Sequence, residues 1–226
     1  MTDLLPLLLD GAWLTVRISG MAALLASVLA LSAALAKASA SRSLRWLANG
    51  YIEIFRGTSL LVQLFWLFFV LPLPPFNLTL SAFTVAVLGL GLNIGAYGAE
   101  VLRGALASIP RGQIEAAVAL NMPPLQGFLQ VVLPQAMLNA IPPATNLLIE
   151  LLKGSSLVSL ITLADLTFRA NQLVEATFRS GEIFSLVLLI YFALAQAINL
   201  AMRLLERRLS RGRQAGKNTD LARGRM

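Results

Sequence analysis

The chain has 226 residues, 57% of them hydrophobic and 13% charged, with a net charge of +7 and a mean hydropathy of +0.75. A soluble domain of this size carries about 25% charged residues, so a water-soluble globular class is excluded. No cysteine and no histidine are present, which removes disulfides, thiolate metal sites and the usual near-neutral proton relay.

Five apolar runs of bilayer-spanning length are expected, at about 13–36, 50–71, 81–104, 136–162 and 183–205. The fold class is all-α: a polytopic membrane protein with about five transmembrane helices. The strands of an outer-membrane barrel would alternate in hydropathy instead. Asp3 and Asp10 precede the first run where a basic segment would mark a signal peptide, so no cleavable signal is expected. Lys37, Arg42 and Arg45 make the first connection basic, whereas 71–79 is uncharged. Glu53 and Arg56 lie three apart, as do Glu100 and Arg103, so each set shares a helix face. Both are read as structural or gate pairs near the basic ends of the spans. Gly91, Gly95 and Gly98 give the third run a small-residue face. That face suits close packing within the chain or against a second subunit. Asn93 and Tyr97 share another face of the same run.

A polar helix–turn–helix follows, within a loop of about 105–135. Glu115, Ala116, Ala117 and Leu120 start its first helix. Asn121 is a residue type that tolerates a left-handed turn. Pro123 and Pro124 stop that helix, and a second short helix over 125–132 runs up to Leu133 and Pro134. An aqueous hairpin between membrane spans is a surface for another protein. In the fourth run, Asn146, Glu150 and Lys153 are spaced four and three and share a face. Intramembrane charges are costly. Either Glu150 and Lys153 neutralise one another, or the three line a polar cavity with Asn93 and Tyr97. Such a set supplies the acceptor and the donor that a zwitterionic solute needs.

From Arg203 to Met226 there are eight basic and two acidic residues, while 165–182 sums to −1 (three acids, two bases). The positive-inside rule then places the N-terminus outside, and the hairpin and C-terminus in the cytoplasm. The tail, 211–226, is expected to be a disordered basic segment against anionic lipid rather than a nucleic-acid arm. Gly212 and Gly216-Lys217-Asn218 faintly resemble a P-loop, but three residues separate the glycines and Asn follows the Lys. ATP hydrolysis must therefore come from another polypeptide. An odd span count without internal repeats argues against a secondary carrier.

Four blocks in order carry a family resemblance that covers nearly the whole chain. Glu115-Ala116-Ala117, with Asn121 where Gly is usual and Leu133-Pro134 at the end, resembles the EAA loop of bacterial ABC importer permeases. Tyr51-Ile-Glu-Ile-Phe-Arg-Gly-Thr-Ser resembles the Y-I-E-x-x-R-G-T-P segment of the polar amino acid (histidine/glutamine-type) permeases, with Ser59 in place of Pro. Gly95 to Gly104 with Ile109-Pro-Arg-Gly-Gln, and Lys153-Gly-Ser-Ser-Leu, are similar to that family's next blocks. The resemblance implies a multi-pass inner-membrane permease subunit over 1–210, importing a small polar amino-acid-like solute without enzymatic chemistry of its own. It implies that Glu115, Ala116, Ala117, Asn121, Leu133 and Pro134 couple to an ATPase, with Glu115 meeting a basic residue and both alanines allowing close approach. The implied partners are a second permease subunit, like or unlike, two ATPase subunits that hold ATP and Mg²⁺, and an extracytoplasmic solute-binding protein. Segments 56–72, 119–121, 146–153 and 159–169 are further similar to ectoine and hydroxyectoine permeases. A polar or basic amino acid is the alternative solute, and a stand-alone channel or carrier is the rival class.

Overall fold

The computed structural model describes the backbone of residues 5–223 and the side chains of residues 5–210. The tail expected over 211–226 therefore lies outside the residues described with side chains. Every regular element among the described residues is helical. In order these are α1 (Leu5–Ala38), α2 (Arg42–Gly57), α3 (Leu60–Phe65), α4 (Ala82–Ala107), α5 (Arg111–Ala119), α6 (Pro124–Gly127), α7 (Leu133–Gly154), α8 (Leu166–Thr177) and α9 (Ser180–Arg223). A π-helical turn extends α3 over Trp66–Val70, another joins α6 to α7 over Phe128–Val132, and α7 tightens into a 3₁₀ segment, Ser155–Ile161.

Among the described residues, four stretches are long and apolar enough to cross a bilayer: α1, α4, the run from Pro124 to Ile161, and α9 over Ser180–Ser210. The second expected span needs correction, because it is not one continuous helix. α2 and the α3 segment meet at a 105° bend and make a fifth crossing only as a pair. Thr58 and Ser59 at the break are extended, with φ of −119° and −71°, so the chain turns here without a proline. Backbone freed at membrane depth needs partners. The Gln63 amide supplies them, donating to Phe55 O at 3.0 Å, Thr58 O at 3.3 Å and Thr58 Oγ1 at 2.7 Å.

The small-residue face of α4 packs inside the subunit. A Cβ at Gly91 would stand 2.6 Å from Leu25 Cδ2, and one at Gly98 2.9 Å from Ala30 Cβ. At Gly95 it would meet the Tyr51 hydroxyl at 2.7 Å and Leu29 Cβ at 2.9 Å. That hydroxyl donates to Leu92 O at 2.7 Å. The glycines thus let α1 and α2 approach α4 at backbone distance, around a core that includes Ile18, Ala22, Leu64, Leu90 and Ile94. Ser81 starts α4 by accepting from Thr84 N–H at 3.1 Å.

At the far end, α8 and the start of α9 pack on α1 through Leu8, Ala12, Leu166, Ala170 and Ile183. Buried Asp165 caps α8, accepting from Phe168 N–H at 2.9 Å and Thr167 N–H at 3.2 Å. Burial pushes this carboxyl up to about 6, against the opposing pull of those cap bonds. The folded chain therefore keeps a proton that the unfolded chain, with the ordinary value near 3.8, has lost. Its contribution to stability is complete below about pH 4 and is lost as pH rises through about 6, at about 1.4 kcal/mol per pKa unit. Thermal unfolding of Asp165→Asn is expected to lack this component. The variant should gain on wild type as pH rises from 4 to 7, and parallel pH profiles would refute the assignment.

Candidate functional site: a polar cavity and an exposed hairpin

A cavity of about 590 Å³ opens at the break between α2 and α3, with α4 and α7 as its other walls. Asn93, Tyr97, Asn146, Glu150 and Lys153 all line it, together with Thr58 and Ser59. The five residues expected on a solute path thus come together, although three of them lie on a different helix from the other two. Their states differ. Asn93 is buried, and both of its amide hydrogens are committed, to Phe55 O at 3.0 Å and Gln63 Oε1 at 3.1 Å. Its first role is to brace the helix break. Asn146, Glu150 and Lys153 are exposed. No ion pair joins Glu150 to Lys153 among the described residues, so mutual neutralisation is not what the structure shows.

The other two pairs divide. Glu100 and Arg103 form the expected bridge at 2.7 Å. Lys37 joins it at 2.7 Å from the end of α1, a partner that the sequence reading missed. Among the described residues Glu53 and Arg56 form no ion pair, so the structural pairing expected from their spacing is not made. The Arg56 guanidinium lies instead over the Tyr97 ring, 5.2 Å from its centroid, an attraction of cation for aromatic face. Arg56 therefore buttresses the cavity wall through Tyr97, and Glu53 stands exposed.

In the hairpin, Asn121 has φ of 53°. Met122 N–H donates to Ala117 O at 3.1 Å and Asn121 N–H to Val118 O at 2.9 Å. This is a Schellman closure with Asn at the left-handed position. Glu115 and Ala116 are exposed. Ala117 is not, which corrects its expected place on the outer surface: it is buried, 3.4 Å from where a Cβ on Gly127 would sit. It sets the spacing of the hairpin's own arms. The expected helix end at Pro134 is also corrected. Pro134 continues the helix without a break, two residues after the π-helical turn Phe128–Val132, where the regular i→i−4 ladder is already interrupted. Gln135 Nε2 donates to Gln113 Oε1 at 3.1 Å and Asn139 Nδ2 to Ser108 Oγ at 2.9 Å, tying the hairpin base together. Its outer surface is apolar: Val118, Leu120 and Leu125 are 67%, 75% and 70% exposed.

An exposed apolar hairpin between spans, in a chain whose helices also enclose a polar cavity, fits a transporter subunit, and the sequence decides which. Residues 24–211 match the family described as binding-protein-dependent transport system inner membrane component. The chain belongs to this family. It is a multi-pass permease subunit of an amino-acid ABC importer, not an enzyme. It is 44% identical over 207 residues to a probable amino-acid ABC transporter permease of Sinorhizobium fredii, covering 90% of this chain and 87% of that one. It is 35% identical over 209 residues to a glutamine transport system permease of Escherichia coli K12, covering 91% and 94%. Its fold matches a crystal structure of an amino acid ABC transporter with histidines at a TM-score of 0.85 and 35% identity, covering 92% and 96%.

Proposed function

We propose that this permease, paired with a second permease subunit, carries a zwitterionic amino-acid-like solute along the cavity of Tyr97, Asn146, Glu150 and Lys153. The observation that carries this reading is that Glu150 and Lys153 line one polar cavity, exposed and unpaired among the described residues. Lipid against such charges is disfavoured, so this side of α7 must face a polar path or a neighbouring subunit. A carboxylate and an ammonium group complement the ammonium and carboxylate of a zwitterion. Asn146, Tyr97 and the hydroxyl of Ser59 add orienting polar groups.

The relatives support a polar amino acid as the solute class. Ectoine or hydroxyectoine is the narrower reading, and it rests on segments 56–72, 119–121, 146–153 and 159–169 of the sequence. Uptake by proteoliposomes holding the permease, its ATPase and its solute-binding protein, with glutamine, arginine and ectoine as competitors, tests both. Competition by none of the three would sink the zwitterion reading.

ATPase subunits, holding ATP and Mg²⁺ outside this chain, grip the exposed hairpin from the cytoplasm, and a solute-binding protein docks on the opposite side. The left-handed turn at Asn121 makes the grip testable. Asn121→Gly is expected to transport like wild type. Asn121→Val must hold a β-branched residue at positive φ, which costs about 1–2 kcal/mol and lowers uptake roughly 5- to 30-fold. Equal uptake by the two variants would remove the turn from the mechanism. The orientation is testable with single cysteines at Phe178, 89% exposed before α9, and at Val118. An impermeant maleimide on intact cells is expected to label the first and spare the second, and the reverse pattern would invert the topology.

A further inference from the structure

Bracing the helix break uses only half of the Asn93 amide. Its Nδ2 donates to Phe55 O at 3.0 Å and to Gln63 Oε1 at 3.1 Å. Its Oδ1 accepts no hydrogen bond among the described residues, yet it is not one of their enclosed, unpartnered side-chain atoms. The oxygen therefore reaches open space. The residue is only 6% exposed, and the space it borders is the polar cavity at the break.

The backbone dictates which end of this amide faces the cavity. A carbonyl oxygen can only accept. Turned over, Asn93 would set Oδ1 against Phe55 O, oxygen against oxygen. Gln63 is fixed in the same way. Its Nε2 meets Phe55 O at 3.0 Å and Thr58 O at 3.3 Å, so its Oε1 is left to receive Asn93. Thr58 Oγ1 also accepts from Gln63 Nε2, at 2.7 Å, and passes its own hydrogen to Ile54 O at 2.7 Å. The donors thus run in one direction, from Asn93 through Gln63 and Thr58 to the last turn of α2. Such a chain polarises its members, and it is anchored at the negative end of a helix dipole. What it presents to the cavity is an acceptor that cannot turn into a donor.

We propose that Asn93 Oδ1 receives an N–H of the solute's cationic group, and that Gln63 is the positioning residue that holds this oxygen toward the cavity. The proposal rests on the zwitterionic-solute reading and adds a chemical requirement to it. Glu150 attracts any cation by charge, whereas a neutral amide oxygen forms a hydrogen bond only with a cation that carries N–H. The cavity should therefore favour ammonium or amidinium solutes over fully N-methylated ones of the same charge.

The test is equilibrium binding to the purified permease–ATPase complex, which leaves out the selectivity of the solute-binding protein. The ligand is whichever of glutamine, arginine and ectoine wild type binds best. It is compared with the derivative in which methyl groups replace every N–H of its α-ammonium, or of the amidinium for ectoine. Wild type is expected to prefer the N–H form, and Asn93→Leu to lower that preference roughly tenfold, as for a lost hydrogen bond to a charged group. Gln63→Leu keeps the Asn93–Phe55 bond and should lower the same preference by a smaller factor. Equal weakening of both ligands in Asn93→Leu would reduce Asn93 to a brace and overturn the proposal, while the zwitterion reading stood. Equal affinity of wild type for the two forms would overturn it without any variant. No binding of any of the three solutes by wild type would overturn the proposal and the zwitterion reading together. If Asn93→Leu does not assemble, an unchanged preference in Gln63→Leu would overturn the positioning chain, and a lowered one would support it.

Discussion

A chain carrying Leu120→Asp together with Leu125→Asp is expected to insert and fold like wild type and to lose its ATPase partner. Both leucines project from the hairpin with most of their surface open. Large apolar side chains held in water between two spans are costly to keep unless something covers them. Burying a leucine on docking is worth about 1.5–3 kcal/mol. Losing two such contacts weakens docking by roughly 10²- to 10⁴-fold, before the cost of desolvating two new carboxylates is added. The hairpin itself should survive, because the turn at Asn121 and the contact of Ala117 with Gly127 do not involve either side chain. By comparison, Glu115→Lys alters one exposed charge and should act weakly, since surface ion pairs contribute about 0–1 kcal/mol. The measurement is co-purification of the ATPase, with the yield and elution volume of the permease as the control for folding. Wild-type recovery of the ATPase on the double variant would eliminate the hairpin as the docking surface.

What could be read in the sequence was local. Span length and hydropathy located the membrane crossings, and the preference of Asn for positive φ, followed by two prolines, located the hairpin turn. What could not be read depended on partners distant in the chain. Lys37 reaches Glu100 across 63 positions, and nothing in the spacing of either residue announces the other. The small-residue face of α4 was legible as a close-packing surface, but only the position of α1 and Tyr51 shows what it packs against. Glu53 and Arg56 have the spacing of a pair, yet Tyr97 from another helix takes the guanidinium. Ala117 reads as an exposed partner of Ala116 until the second arm folds back and Gly127 covers it. Gln63 was the one missed residue with a local signal. An amide in an apolar run, just after Gly57-Thr58-Ser59, marks a place where helix carbonyls are left open and a side chain must close them.

The same reasoning about intramembrane polar groups sets the expectation for Glu150. Glu150→Gln keeps the shape of the side chain and removes its charge. If Glu150 receives the cationic group of the solute, the variant loses a charged hydrogen bond worth about 1.5–3 kcal/mol. Apparent affinity for the solute then falls roughly 10- to 150-fold. Uptake at low solute should drop by that factor while assembly with the ATPase is unchanged, because Glu150 lines the cavity and lies far along α7 from the hairpin. The alternative role, neutralising Lys153, predicts a different pattern in the double variant. With Glu150→Gln and Lys153→Met together, no charge is left without its partner and transport would return. Since no ion pair links the two side chains among the described residues, the double variant is expected to remain impaired. It should also fall below Glu150→Gln alone, because the ammonium group that meets the solute carboxylate is lost as well. Recovery of uptake in the double variant would make Glu150 a structural counter-charge and leave the solute cation to another group in the cavity.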